Sequence, residues 1–473
     1  MREAYEMVIG LEVHVELKTD SKIFCGCPTA FGAPPNTQCC PVCMGMPGAL
    51  PVLNRQVVEH AIRAGLATHC TIASASKMDR KNYFYPDLPK AYQISQYDLP
   101  LCRDGYLTLQ TAAGPKRVGI TRIHIEEDAG KLIHDPGRGT LIDCNRCGVP
   151  LIEIVSEPDL RSAEEARAYL QKLRAILLYT GVSDCRMNEG SLRCDVNLSV
   201  RPAGTAQLGI RTEMKNLNSF QSVTRAIEQE YARQTQALEA GEVIVQQTRR
   251  FDQQTGKTFP LRGKENADDY RYFPEPDLPP IAYAPEMVAA IEKTIPVLPD
   301  ARQADYQRRY GLPAATAEQL TLRREVADFF EAAARDSAHP GLIANLIVGQ
   351  IMPQLPDPIA RIPVSPAHVA QVAELAARER INSATARRLV QALLTQDQDP
   401  EALIRQRGWE QISDRETLRA LAEAVIAANP GGAQDYRAGK TAALQALIGQ
   451  LMKKTGGRGN PRLIREILVD LLQ

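Results

Sequence analysis

Apolar and polar residues alternate over two segments in the first half of the chain. Residues 7–17 carry apolar side chains at the odd positions, and Glu12 and His14 lie between them. Residues 191–201 alternate in the same way, with Asp195 on the polar side. A period of two residues with one polar face is typical of strands in an antiparallel sheet. We therefore expect both segments to belong to one mainly antiparallel sheet.

Apolar residues at helical spacing predict helices in the remaining parts of the chain. Residues 162–179 and 223–238 have this spacing in the first half, and residues 300–400 show only helical patterns. Asn382 or Ser383 is a suitable N-cap for a helix that follows them. Strands with a few helices, followed by helices alone, predict an α+β protein.

Prolines mark the expected boundaries between these regions. They are concentrated between residues 274 and 299, where the alternating pattern ends. A second break is expected at residues 400–408, and the segment from about 405 to 473 is again helical in pattern. The sequence therefore predicts a sheet-containing domain, then a helical domain, then a helical tail.

Composition narrows the class of protein only slightly. The chain has 473 residues, of which 44% are hydrophobic and 24% charged, so it can bury a core and is not wholly disordered. Lys+Arg and Asp+Glu both total 56, so any basic surface must be local. No apolar stretch is long enough to span a membrane, and the first residues do not resemble a signal peptide. We expect a cytoplasmic protein without a membrane partner.

The cysteines indicate a metal site. Five of the 11 lie between residues 25 and 43, where a C-x-C pair precedes a C-x-x-C pair. Four thiolates in short turns are typical of tetrahedral structural Zn²⁺ sites, which leave no position open for water. The expected ligands are Cys25, Cys27, Cys40 and Cys43. Cys39 competes with Cys40, and free thiols are the alternative for the whole cluster.

Histidine and carboxylate residues on the predicted strands indicate a second kind of site. Glu12 and His14 share a strand face, and His124 and Glu126 share another if residues 117–126 form a strand. Glu153 interrupts an apolar run, which is costly unless a cation or a hydrogen-bond donor satisfies its carboxylate. Together with Asp195, these acidic residues and one histidine are candidates for binding a hard divalent ion such as Mg²⁺. A hydrated sheet face with salt bridges is the alternative.

Two other segments combine cations with residues suited to nucleotides or RNA. In residues 77–87, Arg80 and Lys81 could hold phosphate while Tyr83 and Tyr85 stack on a base; a charged hairpin is the alternative. From residue 440 to the end there are six basic residues and two acidic ones. This excess of positive charge is suited to binding the phosphate backbone of a nucleic acid, and a solvated helix face is the alternative. The chain has no Walker A loop, dinucleotide-binding glycine motif or serine-hydrolase motif.

Ten ordered segments resemble one family, the B subunits of glutamine-dependent aspartyl/glutamyl-tRNA amidotransferases. Any one of them would be weak evidence, but together they cover nearly the whole chain. They are 8–18 (VIGLEVHVELK), 79–87 (DRKNYFYPD), 91–96 (AYQISQ), 124–131 (HIEEDAGK), 150–159 (PLIEIVSEPD), 190–195 (GSLRCD), 215–220 (KNLNSF), 269–277 (DYRYFPEPD), 435–440 (DYRAGK) and 449–453 (GQLMK).

The resemblance implies a domain organisation and a reaction. The expected parts are a catalytic cradle over residues 1–293, a helical domain over 294–405 and a tRNA-binding tail over 406–473. The expected activity is that of an ATP-dependent carbon–nitrogen ligase that takes its nitrogen from glutamine. ATP phosphorylates the side-chain carboxylate of Glu-tRNA(Gln), Asp-tRNA(Asn) or both, and ammonia displaces the phosphate. An amidase subunit would supply the ammonia, and a small third subunit would brace the pair.

The resemblance also implies roles for individual residues. The expected catalytic set is Glu12, His14, Glu126, Glu153 and Asp195. Within it, His14, Glu126 and Glu153 match Mg²⁺ ligands, whereas Glu12 and Asp195 match acidic positions that hold a second ion or shape the site. Lys81 and Tyr83 match a segment expected to contact ATP or the acyl phosphate.

Outside the catalytic set, the resemblance implies a zinc site and a tRNA contact. The four cysteines match a zinc cluster that only some family members have, so zinc is not expected to take part in the chemistry. The expected contacts to the tRNA body are Lys440, Lys453, Lys454 and Arg458.

Overall fold

The chain divides into two compact units, Met1–Leu298 and Pro299–Gln473. The computed structural model describes residues 4–263, 267–356 and 359–473. Within these ranges strands occur only in the first unit, whereas the second is helical. The predicted α+β class is therefore confirmed. The division into three domains stays a prediction.

The two segments predicted from alternation are strands of the first unit, and this unit contains further strands that alternation did not indicate. They are β1 (Tyr5–Glu16), β2 (Thr71–Ile72), β3 (Ala75–Ser76), β4 (Asp79–Asn82), β5 (Tyr92–Ser95), β6 (Cys102–Thr111), β7 (Gly114–Glu127), β8 (Lys131–Asp135), β9 (Gly139–Asp143), β10 (Pro150–Ser156), β11 (Leu192–Pro202), β12 (Thr212–Leu217), β13 (Gln247–Asp252), β14 (Lys257–Gly263), β15 (Phe273–Pro274) and β16 (Ile281–Ala282).

Nine of these strands form the main sheet, in the order β14-β13-β12-β11-β1-β10-β7-β6-β2. All its neighbouring pairs are antiparallel except β12 and β13, which confirms the predicted mainly antiparallel sheet. The central strand β1 pairs Glu12 with Asp195 on β11 and His14 with Glu153 on β10. Because paired residues share a face of the sheet, this register gathers the predicted acidic residues and histidine on one side.

Helices cover the opposite, apolar face of the main sheet. The helices of this unit are α1 (Arg55–Ala67), α2 (Ala163–Thr180), α3 (Phe220–Glu239) and α4 (Pro285–Glu292). Helix α2 begins where the Ser162 side chain accepts a hydrogen bond from the Glu165 N–H, and Ser219 caps α3 in the same way. Ile9 and Val13 on β1 are 0% exposed and pack in the same core as these helices.

Over its described residues, the second unit contains two separate hydrophobic clusters. One includes Phe330 and Leu389, and the other includes Leu418 and Leu468. Asn382, predicted as a possible cap, accepts a hydrogen bond from the Thr385 N–H at 2.9 Å. The helices are α5 (Pro299–Tyr310), α6 (Ala314–Thr321), α7 (Arg324–Ala334), α8 (Pro340–Leu346), α9 (Pro366–Ala377), α10 (Ser383–Thr395), α11 (Pro400–Arg407), α12 (Arg415–Ala428), α13 (Pro430–Arg437), α14 (Ala442–Lys454) and α15 (Pro461–Leu472).

The helices differ from membrane spans in length and polarity. Over the ranges given above, not one helix has the length and apolar character needed to cross a bilayer.

Candidate active site and metal centres

A cavity of about 480 Å³ lies on the polar face of the main sheet. Strands β1, β7, β10 and β11 supply its floor, and residues around β4, β5 and positions 270–272 supply its walls. It gathers the seven residues that the resemblance assigned to catalysis or to contact with ATP or the acyl phosphate: Glu12, His14, Lys81, Tyr83, Glu126, Glu153 and Asp195.

One group in the cavity consists of His14, Glu126 and Glu153. The Nε2 atom of His14 lies 3.5 Å from Glu126 Oε1 and 3.4 Å from Glu153 Oε2. The carboxylate side chains are nearly buried, at 4% and 12% exposure. Burial alone would lower the pKa of His14, but the hydrogen bond and charge of Glu153, helped by Glu126, raise it to about 9.

The same group has donors suited to a divalent cation. One ligand atom from each of its three residues lies within 4.8 Å of the others. Burial alone would raise the pKa of Glu153, but His124, His14 and Lys81 hold it well below the usual range, so Glu153 is ionised. Two carboxylates and one imidazole nitrogen at this spacing fit a hard divalent ion, which would replace the proton on His14.

His124 lies beside this group, a position that the sequence did not predict. Its Nε2 atom faces the same two carboxylates, 3.6 Å from Glu126 Oε2 and 3.5 Å from Glu153 Oε2. Its Nδ1 atom accepts a hydrogen bond from Arg122 Nε at 3.3 Å, which places the imidazole proton on Nε2. His124 is therefore arranged to orient the carboxylates rather than to bind the ion itself.

A second acidic group lies beside the first and consists of Glu12, Asp195 and Glu213. Lys215 forms ion pairs with Asp195 and, at 3.4 Å, with Glu213 Oε1. Burial alone would lower the pKa of Lys215, but Asp195 and Glu213 raise it, so the lysine is charged. Three carboxylates and one ammonium leave an excess of negative charge, which suits a second cation.

Sequence reasoning missed Glu213 and Lys215. Both lie on β12, where alternate residues share a face. Glu213 pairs with Asn197 on β11 and accepts a hydrogen bond from Thr248 Oγ1 at 2.9 Å. The sequence shows that Glu213 and Lys215 are two positions apart, but it does not show that β12 lies beside β11.

Lys81 and Tyr83 both lie in the cavity wall, and their expected contact with ATP or the acyl phosphate stays a prediction. The Nζ atom of Lys81 is 4.8 Å from the ring centroid of Tyr270 and 5.7 Å from that of Tyr83. Burial, together with the nearby Glu126, raises the pKa of the Tyr83 phenol, which stays neutral. Arg80, in contrast, donates to Glu275 Oε2 and Oε1 at 2.7 and 2.8 Å, so its guanidinium is engaged within the fold.

The cysteine cluster forms a compact group outside the cavity. Cys25, Cys27, Cys40 and Cys43 bring their sulfur atoms within 4.8 Å of one another, and the Sγ atoms of Cys40 and Cys43 are 3.8 Å apart. Zinc–sulfur bonds of about 2.3 Å in a tetrahedron place ligand sulfurs about 3.8 Å apart, so the group fits Zn²⁺. Cys39 lies outside it and donates to the Asn36 carbonyl at 3.3 Å.

Protonation also supports a thiolate at this site. A hydrogen bond from Cys25 lowers the pKa of Cys43 to about 4, and thiolates are the form that binds zinc. Cys144 and Cys147 are buried against Cys43, and burial raises the pKa of both thiols. This second pair has the character of structural thiols.

Comparison with known proteins decides the family. The sequence model described as the GatB/GatE catalytic domain matches residues 7–289, and the GatB domain matches residues 328–472. A protein of Caldicellulosiruptor saccharolyticus, named as the B subunit of aspartyl/glutamyl-tRNA(Asn/Gln) amidotransferase, is 54% identical over 99% of both chains. The proteins of the same name from Caldanaerobacter subterraneus and Geotalea uraniireducens are 53% and 50% identical, again over 99% of both chains. The chain belongs to this family of amidotransferase B subunits.

The catalytic-domain match of this family spans the cavity and both acidic groups. The four basic residues predicted to contact tRNA lie within the second match, in the helical unit. Lys453 and Lys454 are exposed at the end of α14. Lys440 pairs with Asp435 at 2.9 Å, and Arg458 Nη1 donates to the Gly408 carbonyl at 3.0 Å.

Proposed function

We propose that this chain is the activating subunit of a tRNA-dependent amidotransferase. It would transfer the γ-phosphoryl group of ATP to the side-chain carboxylate of Glu-tRNA(Gln), Asp-tRNA(Asn) or both. Ammonia derived from glutamine would then displace the phosphate and form the amide. The observation that carries the proposal is the cavity in which His14, Glu126 and Glu153 lie beside a second acidic group.

The chemistry explains why such a cavity is required. A carboxylate is a poor electrophile, and phosphorylation gives it a leaving group. Phosphoryl transfer depends mainly on positioning the reacting groups and on offsetting their charge. We assign His14, Glu126 and Glu153 as Mg²⁺ ligands, and Glu12, Asp195 and Glu213 as a second cation site. Bound Mg²⁺ would offset negative charge on ATP and on the transferred group.

Other residues of the cavity would act directly on the substrates. The ammonium of Lys81 is suited to hold a phosphate or acyl-phosphate oxygen, and Tyr83 forms the wall beside it. His124 would keep the carboxylates of Glu126 and Glu153 oriented. The zinc site would stabilise its loop and take no part in the reaction, since four thiolates leave no open coordination position.

The proposed reaction requires partners. An amidase subunit would supply ammonia, and a small third subunit would brace the complex. Lys440, Lys453, Lys454 and Arg458 would contact the tRNA body through its phosphates. We propose the cytoplasm, where aminoacyl-tRNA is made and used, as the location.

The test uses the reconstituted complex with γ-labelled ATP and no ammonia donor. Glu-tRNA(Gln) and Asp-tRNA(Asn) are supplied separately, with correctly matched Glu-tRNA(Glu) as the control. We expect label to become attached to one or both of the first two tRNAs and to be discharged by hydroxylamine, as for an acyl phosphate. Intact ATP in every reaction, together with normal tRNA binding, would indicate a tRNA-binding scaffold instead.

A further inference from the structure

Four tyrosines along the cavity wall form a continuous aromatic row. Tyr97 and Tyr272 stack with ring centroids 4.3 Å apart and ring planes 7° apart. Tyr270 meets Tyr272 edge to face at 6.0 Å and meets Tyr83 in the same way at 6.0 Å. All four rings line the cavity that holds the acidic groups.

The stacked pair is not part of the hydrophobic core. Tyr97 is 49% exposed, and the core of this unit lies on the other face of the main sheet. An exposed aromatic stack beside a polar cavity is typical of surfaces on which unpaired nucleobases stack. Its exposure therefore points to a ligand rather than to a packing role.

Both sides of the stack are fixed by neighbouring polar contacts. The Tyr97 N–H donates to Asp79 Oδ2 at 3.0 Å. On the other side, Tyr272 lies three residues before Glu275, whose carboxylate accepts two hydrogen bonds from Arg80. A surface already held in place loses little conformational freedom when it binds a base, which favours binding.

An aminoacyl ester is long enough to join the carboxylates of Glu126 and Glu153 to the stack. Ser95 Oγ lies 3.5 Å from Glu126 Oε2, and Tyr97 follows two residues later, so its Cα lies at most about 7 Å from that of Ser95. In a glutamyl ester, four bonds of about 1.5 Å separate the side-chain carboxyl carbon from the ester carbon, a span of about 5 Å. A carboxylate at the acidic group would thus place the terminal ribose and its base near Tyr97.

We propose that the Tyr97–Tyr272 stack binds the 3′-terminal adenine of the aminoacyl-tRNA. This inference rests on the proposed function, because it names the part of the tRNA that enters the cavity. The adenine of ATP is the competing ligand of the same chemistry. ATP is disfavoured as the ligand of the stack. If its γ-phosphoryl group lies at Glu126 and Glu153, its triphosphate and ribose hold the adenine away from these carboxylates.

The experiment compares Tyr97→Leu with Tyr97→Phe in the reconstituted complex. Tyr106→Leu is the matched control, because Tyr106 stacks on His69 at 4.5 Å and is not among the residues that line the cavity. The KM is measured separately for Glu-tRNA(Gln) and for ATP. In a second assay, the terminal adenine of the charged tRNA is replaced by fluorescent 2-aminopurine, whose emission falls when it stacks.

We expect Tyr97→Leu to raise the KM for the aminoacyl-tRNA roughly 5- to 100-fold, as for loss of one base–aromatic stack. The KM for ATP should be unchanged, and the 2-aminopurine quenching should disappear. Tyr97→Phe keeps the ring and should behave like the unaltered protein, as should Tyr106→Leu.

Two outcomes would overturn the proposal. If only the KM for ATP rises, the stack holds the nucleotide; if neither constant nor the quenching changes, it holds no base. Failure of the proposed function looks different, because the unaltered complex would then leave ATP intact with every tRNA.

Discussion

The contact between Arg80 and Glu275 offers a sharp test of how the cavity wall is held. Arg80 donates two hydrogen bonds to Glu275 at 2.7 and 2.8 Å, and its guanidinium lies 4.2 Å from the ring centroid of Tyr92. The Glu275 side chain is 0% exposed. The pair joins β4 to the segment that carries Tyr270 and Tyr272.

Replacing Arg80 by Met leaves the Glu275 charge buried. The Asp277 N–H donates to Glu275 Oε1 at 3.0 Å, but it brings no positive charge. Loss of one partner of a buried ion pair costs about 3–5 kcal/mol, which we expect as the decrease in the free energy of unfolding of the first unit. Arg80→Met combined with Glu275→Met removes both charges, so its loss should be smaller than that of the single variant.

The assay must report on the first unit. The single tryptophan is Trp409, which packs in the second unit, so its fluorescence serves as an internal control. Urea denaturation is therefore followed by hydrogen exchange of peptides from residues 4–263. A decrease below about 1 kcal/mol for Arg80→Met, or a double variant less stable than the single one, would refute the reasoning.

Three further predictions concern the metal groups and the tail. In the metal-free protein, NMR should show His14 titrating at a pKa of about 9. Because this pKa lies above the ordinary value of 6.5, protonated His14 contributes its full stabilisation of the folded state below pH 6.5. This contribution is lost as the pH rises through 9, and His14→Gln should abolish that loss. Cys43→Ser should remove bound zinc, measured by elemental analysis, and lower the thermal midpoint, whereas Cys39→Ser should retain the metal. Replacing Lys453 and Lys454 by Gln should reduce the slope of log Kd for tRNA against log salt by about one for each phosphate interaction removed, while an unchanged slope would exclude both residues from the interface.

The sequence predicted the parts of the site that follow from a single strand or a local motif. Period-two alternation located β1 and β11, and the isolated carboxylate of Glu153 in an apolar run stood out as costly. The spacing of the cysteines identified the four that cluster, because a C-x-x-C turn is a local feature. Asn382 was likewise recognisable as a cap from its side chain alone.

Features that depend on strand order were not predictable from these patterns. Glu213 joins Glu12 and Asp195 because β12 lies beside β11, and β12 then pairs with β13 in parallel across a helix. Tyr272 reaches Tyr97 from 175 positions further along the chain, because β15 pairs with β4. Alternation shows which residues share a face, but it does not show which strands are neighbours.

The most direct test of the account concerns the role of Glu153. Glu153→Gln removes one charge from the principal acidic group while keeping the side-chain volume. Glu157→Gln is the matched control, because Glu157 accepts a hydrogen bond from Thr121 Oγ1 at 2.7 Å and is not among the residues that line the cavity. In single-turnover reactions with γ-labelled ATP and Glu-tRNA(Gln), we expect Glu153→Gln to abolish transfer of label to the tRNA and Glu157→Gln to retain it. Normal transfer by Glu153→Gln would contradict the assignment of the active site to this cavity.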